Sequence, residues 1–113
     1  PVGIFGGLGG VFFLEELNRG AVGTMTGFSY TEILVDIDRK FKSGDRAAAR
    51  ETFYRYLPLL RFEFQPVVGL ALRKYLLYRR GAIAHPGVRQ PGPAVSDALK
   101  QELEDVLAYC GLS

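Results

Sequence analysis

Gly3-Ile4-Phe5-Gly6-Gly7-Leu8-Gly9-Gly10, then Val11-Phe12-Phe13-Leu14-Glu15-Glu16-Leu17-Asn18-Arg19-Gly20, then Ala21-Val22-Gly23-Thr24-Met25-Thr26-Gly27 reads as a strand, a short amphipathic helix and a second strand. Residues 2–5 are apolar and bounded by glycine, as suits a buried parallel strand of about four to six residues. The glycines at 6, 7, 9 and 10 turn the chain, and Val11, Phe12, Leu14 and Leu17 recur at helical spacing until Asn18-Arg19-Gly20 stops the helix. Residues 21–26 return as the second strand. Everything after Gly27 is helical in pattern, so this βαβ unit has no further strand beside it. Parallel strands normally have both faces covered, and a two-stranded sheet is marginal in water, so the strands predict missing neighbours. The chain opens on Pro1 at the start of a strand, with no initiator methionine, no signal-peptide pattern and no linker. The expectation is a truncated reading frame or an excised piece.

Downstream, Ser29 with Glu32 three residues later has the form of a capping box, and Ile33, Leu34, Ile37 and Phe41 follow on one helical face up to Gly44. Asp45 can cap a third helix containing Phe53, Leu57 and Leu60, with Pro58 placed to kink or interrupt it. Phe53, Tyr54, Tyr56, Phe62 and Phe64 crowd this region. Core packing or a subunit interface explains them better than a stacking platform for bases or sugars. Pro66 suits a first helical turn, and residues 67–77 form a nearly all-round apolar fourth helix, ending at Gly81, that wants partners on several sides. A Pro/Gly-rich loop spans 85–93, and Ser96 can cap a last helix running to Tyr109.

Composition bounds the function. A chain of 113 residues with 48% hydrophobic side chains forms one domain at most, and 14 basic against 12 acidic residues give a net charge of only +2. The charges are interspersed on helical faces, so neither nucleic acid nor a membrane surface is implied. Arg73-Lys74 and Arg79-Arg80 fall in the last turns of a helix, where a solvated basic cap is favoured over a phosphate site. The single cysteine, Cys110, shares an apolar face with Leu99, Leu103, Val106 and Leu107, as a small core residue in a reducing compartment would. No apolar run approaches the ~20 residues of a membrane span.

The chemical motifs mostly fail. The dinucleotide fingerprint needs glycines at n, n+2 and n+5, and from Gly7 the third position is Phe12; no Gly-Lys-Ser/Thr follows to make a P-loop. A nucleotide-binding fragment would show phosphate affinity at the glycine turn, and this spacing counts against it. Glycines at strand ends do remove side chains and let a small ligand approach the backbone, a role open to Gly6, Gly7 and Gly23. A tight turn with close helix packing accounts for them equally well. The lone His85 has no partner at metal-ligand spacing, and with Ser29 read as a helix cap no Ser-His-Asp arrangement exists. Glu15-Glu16, Glu102 and Glu104-Asp105 read as solvated helix faces.

Taken in order, Phe5-Gly6-Gly7, then 16–25, Gly44-Asp45 with Ala49-Arg50, Leu57-Pro58-Leu59, Leu72-Arg73-Lys74 with Arg79-Arg80-Gly81, and Val88-Arg89-Gln90-Pro91 resemble the C-terminal part of the dihydrodipicolinate synthase and N-acetylneuraminate lyase family. The resemblance runs through essentially the whole chain; each motif is weak alone, and their order and spacing carry it. It implies an α/β fold: residues 1–43 as strands seven and eight, with their helices, of a (β/α)8 TIM barrel, and 44–113 as the C-terminal three-helix bundle.

Members of that family are class I lyases, in which a strand-six lysine forms a Schiff base with pyruvate or another 2-oxo acid and a strand-five tyrosine relays protons. No metal or cofactor is implied. Neither residue has a counterpart here. Lys40, Lys42, Lys74 and Lys100 all fall in helices outside the barrel interior, so the chain by itself is expected to be inactive. The resemblance leaves it with pocket-wall positions for the 2-oxo acid: Gly6 and Gly7 at strand seven, Gly23 and Thr24 at strand eight. Where some synthases carry acidic residues after the strand-seven glycine, this chain has Gly7 and Leu8, and Gly23 stands where a bulkier apolar residue is common. A sugar-acid (2-keto-3-deoxy) aldolase or dehydratase is therefore carried as the alternative substrate class. The resemblance also implies a cytoplasmic homo-oligomer. A non-catalytic helical interaction module, docking through the aromatic-rich helices, is the alternative from another class; it leaves the parallel strands without a purpose.

Overall fold

The computed structural model describes residues 2–89 and 92–112, so Pro1, Gln90 and Pro91 of the quoted motifs, and Ser113, lie outside the described residues. The chain is a mostly helical α/β structure: β1 (Phe5–Gly6), a tight turn at Leu8–Gly10, α1 (Phe13–Asn18), β2 (Gly23–Thr24), α2 (Thr31–Lys42), α3 (Arg46–Glu63), α4 (Gly69–Arg79) and α5 (Asp97–Cys110). β1 and β2 pair in parallel, Phe5 opposite Gly23 and Gly6 opposite Thr24. Two more hydrogen bonds extend the ladder, Val22 N–H to the Ile4 carbonyl at 2.9 Å and Met25 N–H to the Gly6 carbonyl at 3.0 Å.

The strands are shorter than the four to six residues expected, and they are not buried. Val2, Ile4, Phe5 and Met25 are exposed, Met25 by 76%. The apolar pattern is that of a covered sheet, and the described residues supply only part of the cover: α1 and α2 leave Gly6, Gly23 and Thr24 half-buried. A Cα radius of gyration of 14.9 Å, against roughly 13 Å for a compact domain of this length, fits the same open arrangement.

The core lies instead among the helices. α3 is its axis and packs against α1, α2, α4 and α5. Phe53, Leu59 and Leu60 of α3 meet Ile37 of α2, Leu72 and Leu76 of α4, and Leu103, Leu107 and Cys110 of α5 in one buried cluster. Each such Leu, Ile or Phe contributes about 1.5–3 kcal/mol by leaving water. In α1 the buried aromatic is Phe13, and Phe12 turns outward.

Helix ends follow the sequence with three corrections. Asp45 caps α3 by accepting from Ala48 N–H, and Ser96 caps α5 by accepting from Leu99 N–H. Gly81, at φ +79°, closes α4, with Ala82 N–H reaching the Leu77 carbonyl. Ser29, however, does not cap α2: the helix starts at Thr31, Tyr30 holds the cap position without a side-chain bond, and Ser29 is engaged elsewhere. α3 runs unbroken through Pro58, because buried Leu59 and Leu60 hold the turn that loses one backbone bond. α4 begins at Gly69; Pro66 belongs to the preceding turn, in which Val67 adopts φ +70°. Leu70 and Tyr78 leave one side of α4 exposed, so it lacks the partners on several sides that its apolar pattern implies.

Candidate functional site

The register brings the four pocket-wall candidates together: Gly6 faces Thr24 across the ladder, with Gly7 and Gly23 next to them. Gly6 and Gly23 leave gaps that are already used, whereas a Cβ on Gly7 would meet only the Met25 carbonyl, at 3.7 Å. A Cβ on Gly6 would overlap the Glu16 carboxylate, and one on Gly23 would sit 2.9 Å from Cε1 of Phe5. Gly7 offers its N–H to Glu16 Oε2 at 3.4 Å, and its carbonyl accepts from Gly10 N–H at 3.1 Å. Gly10, at φ +84°, is buried where a side chain would press on Leu34 and Leu60.

Glu16 is therefore no solvated surface acid: it leans across the end of β1, with Oε1 buried and, among the described residues, without a hydrogen-bond partner. The Thr24 Oγ1 and Asp38 Oδ1 atoms are also buried and unpartnered among the described residues. Both line a cleft of about 240 Å³ bounded by Phe5, Gly23, Thr26 and Thr31. A second cleft of about 220 Å³ adjoins Gly6, Glu16 and Arg19. Unsatisfied polar atoms at the strand ends can receive hydrogen bonds from, or donate them to, a small polar ligand. A larger cleft of about 450 Å³, between α4 and the loop before α5, holds Tyr75, Tyr78 and Lys100 and lies away from the strand ends.

The segment after β2 is anchored to the helical part of the molecule. Ser29 donates its N–H to Glu63 Oε1 at 3.0 Å and its hydroxyl to Oε2 at 2.6 Å, and its carbonyl accepts from Arg80 Nη1 at 2.6 Å. Ser29 is 4% exposed and Glu63 2%. Burial pushes the Glu63 carboxyl up to about 7, opposed in turn by the Ser29 hydroxyl, the Ser29 amide and the Arg73 charge.

The basic residues of α4 are ties rather than a solvated cap. Arg73 approaches Glu63 at 3.5 Å, and Arg79 grips Glu104 of α5 through two hydrogen bonds of 2.9 and 3.1 Å. Arg80 pairs with Glu32 and stacks 4.1 Å above the Tyr30 ring. The four lysines are held by neighbours, and Lys42 also reaches the strand segment, donating to the Val22 carbonyl just before β2 at 3.1 Å. Lys40 bonds Asp36 and Thr52, Lys42 bonds Asp38, Lys74 bonds the Gly87 carbonyl, and Lys100 lies over Tyr75. Cys110 is fully buried, which raises its thiol pKa. His85 is exposed, and among the described residues no three His, Cys, Asp or Glu side chains could hold a metal ion. No helix of the described residues is long and apolar enough to cross a membrane.

Sequence reasoning set Glu16 aside and passed over Glu63. The signal for Glu63 was present: it stands four residues after Leu59 and three after Leu60, on the apolar stripe of its helix.

No family model matches the chain, and no curated protein does. Among solved structures it is similar to dihydrodipicolinate synthase from Rhodopseudomonas palustris, with a TM-score of 0.93 and 39% sequence identity over 96% of this chain. The match covers 36% of that protein, so the chain spans about a third of its length.

Proposed function

We propose that this chain is the C-terminal part of a dihydrodipicolinate synthase-like lyase: the last two β/α units of a (β/α)8 barrel, residues 1–43, and the helical bundle of 44–113. The observation that carries this reading is the match to that enzyme, close in both structure and sequence over 96% of the chain. The exposed apolar strands support it, since further strands on either side would cover Ile4, Phe5 and Met25.

In this reading the reaction is a Schiff-base addition or elimination on pyruvate or another 2-oxo acid, and the imine-forming lysine and relay tyrosine come from other strands. The present residues form part of the pocket wall. Gly7 leaves its part of the wall without a side chain, the gaps at Gly6 and Gly23 are taken by the Glu16 carboxylate and the Phe5 ring, and Thr24 supplies a hydroxyl without a hydrogen-bond partner among the described residues. Exposed Leu70 and Tyr78 of α4 support self-association as a homo-oligomer, which the family resemblance would place in the cytoplasm. The absence of an acid at Gly7 and Leu8 favours a 2-keto-3-deoxy sugar acid as the second substrate class.

The test is borohydride trapping with the encoded full-length protein. Pyruvate is expected to leave a covalent adduct on a lysine outside residues 1–113; no adduct with pyruvate or with a 2-keto-3-deoxy sugar acid overturns the reading. Turnover of the sugar acid, compared with condensation of pyruvate with an aldehyde, separates the two substrate classes.

A further inference from the structure

We infer that Glu63 is a positioning residue for the strand-end pocket, acting through Ser29 on the segment that follows β2. The inference rests on the lyase reading for what the pocket binds, and on geometry alone for the brace.

Thr24 and Ser29 are five residues apart, and the stretch between them is pinned at both ends. Met25 N–H bonds the Gly6 carbonyl on the strand side, and all three hydrogen-bonding groups of Ser29 are taken by α3 or by the end of α4 on the helical side. Within the stretch, Thr26 Oγ1 accepts from Phe28 N–H, and Gly27 runs against Arg73, whose Nη1 would lie 3.2 Å from a Cβ there. Phe28, Ser29 and Tyr30 are buried. The course of the chain from Thr24 to α2 is thus fixed by side chains of α3 and α4.

Removing the Glu63 carboxylate leaves a buried Ser29 N–H and hydroxyl with no acceptor. The segment then satisfies them by opening to water, and Thr24 loses its fixed place opposite Gly6. Glutamine is different. Its carbonyl accepts from Ser29 N–H and its amide can donate to the hydroxyl oxygen, so the brace survives loss of the charge.

The experiment uses the encoded full-length protein, its Glu63→Ala, Glu63→Gln and Ser29→Ala variants, and two readouts. These are amide hydrogen exchange over residues 25–30 and the pyruvate concentration giving half-maximal borohydride trapping. In Glu63→Ala, exchange over 25–30 is expected to quicken about ten-fold while α5 is unchanged, and half-saturation to rise about five-fold or more. Glu63→Gln is expected to return both to within about two-fold of the parent, as hydrogen bonding rather than packing requires. Should Glu63→Ala fail to fold, Ser29→Ala, which keeps the backbone bond, is expected to raise half-saturation by about two- to five-fold. Unchanged exchange in Glu63→Ala, no rescue by Glu63→Gln, or unchanged half-saturation in Ser29→Ala overturns the brace. A parent protein that traps no 2-oxo acid overturns the lyase reading instead, and exchange over 25–30 still decides the brace.

Discussion

Arg73 stops 3.5 Å short of Glu63, its Nε facing Oε1, so this cation offsets the burial of the carboxylate only in part. Glu63 accordingly sits at about 7 rather than 4.5. The folded protein holds this proton more tightly than the unfolded chain does. The group's contribution to stability is therefore complete below pH 4.5 and is lost as pH rises through about 7. At about 1.4 kcal/mol per pH unit the loss is on the order of 3 kcal/mol. In the encoded protein, Glu63→Gln is expected to match the parent in urea unfolding below pH 4.5 and to exceed it by about 1–3 kcal/mol at ~pH 8. Parallel stability curves for the two proteins would disprove this.

Gly6→Ala places a methyl group where the Glu16 carboxylate lies. Because the carboxylate is the end of a flexible side chain, it swings aside and releases Gly7 N–H, and the fold survives. In the encoded full-length protein, on the lyase reading, pyruvate trapping is expected to weaken about ten-fold with the melting temperature nearly unchanged. Equal trapping by Gly6→Ala and the parent would remove Gly6 from the pocket wall.

Val67 is β-branched, exposed and at φ +70°, a conformation that costs a side chain of this kind about 1–3 kcal/mol. Val67→Gly relieves that strain and gives up no buried packing. It is expected to stabilise the protein by about 1 kcal/mol, read from the urea midpoint at constant slope. A destabilised variant would mean that the Val67 side chain has a partner beyond the described residues.

The 113-residue chain produced alone exposes Val2, Ile4, Phe5 and Met25 along strands with open edges. It is expected to self-associate and bind a hydrophobic dye, and Ile4→Lys with Met25→Lys is expected to reduce both. Sharp cooperative unfolding of a monomer would instead favour the independent helical module.

The helices were legible because their signals are local: Asp45 and Ser96 cap them, and Ile33, Leu34 and Ile37 or Leu103 and Leu107 mark their buried faces. The parallel strands were legible as a pair, although their ladder proved short, since register and length depend on neighbours that local pattern does not describe. Ser29 was misread for the same reason. A serine three residues before a glutamate fits a helix cap equally well whether or not a carboxylate 34 residues on is waiting for it. Gly6, Gly7 and Gly23 could be grouped as strand-end glycines and Thr24 joined them only through the family resemblance, while the part played by Glu16 needed the angle of α1 across the strand end.

Ser29 takes its hydrogen-bond partners from 34 and 51 residues further along the chain. Protein engineers often exchange loops as portable pieces, and this one is not portable. Grafted alone, residues 25–30 would bring a buried serine into a host with nothing to receive it. The transferable unit is discontinuous, the loop together with positions 63 and 80, and a recombination crossover anywhere between them separates a lock from its key.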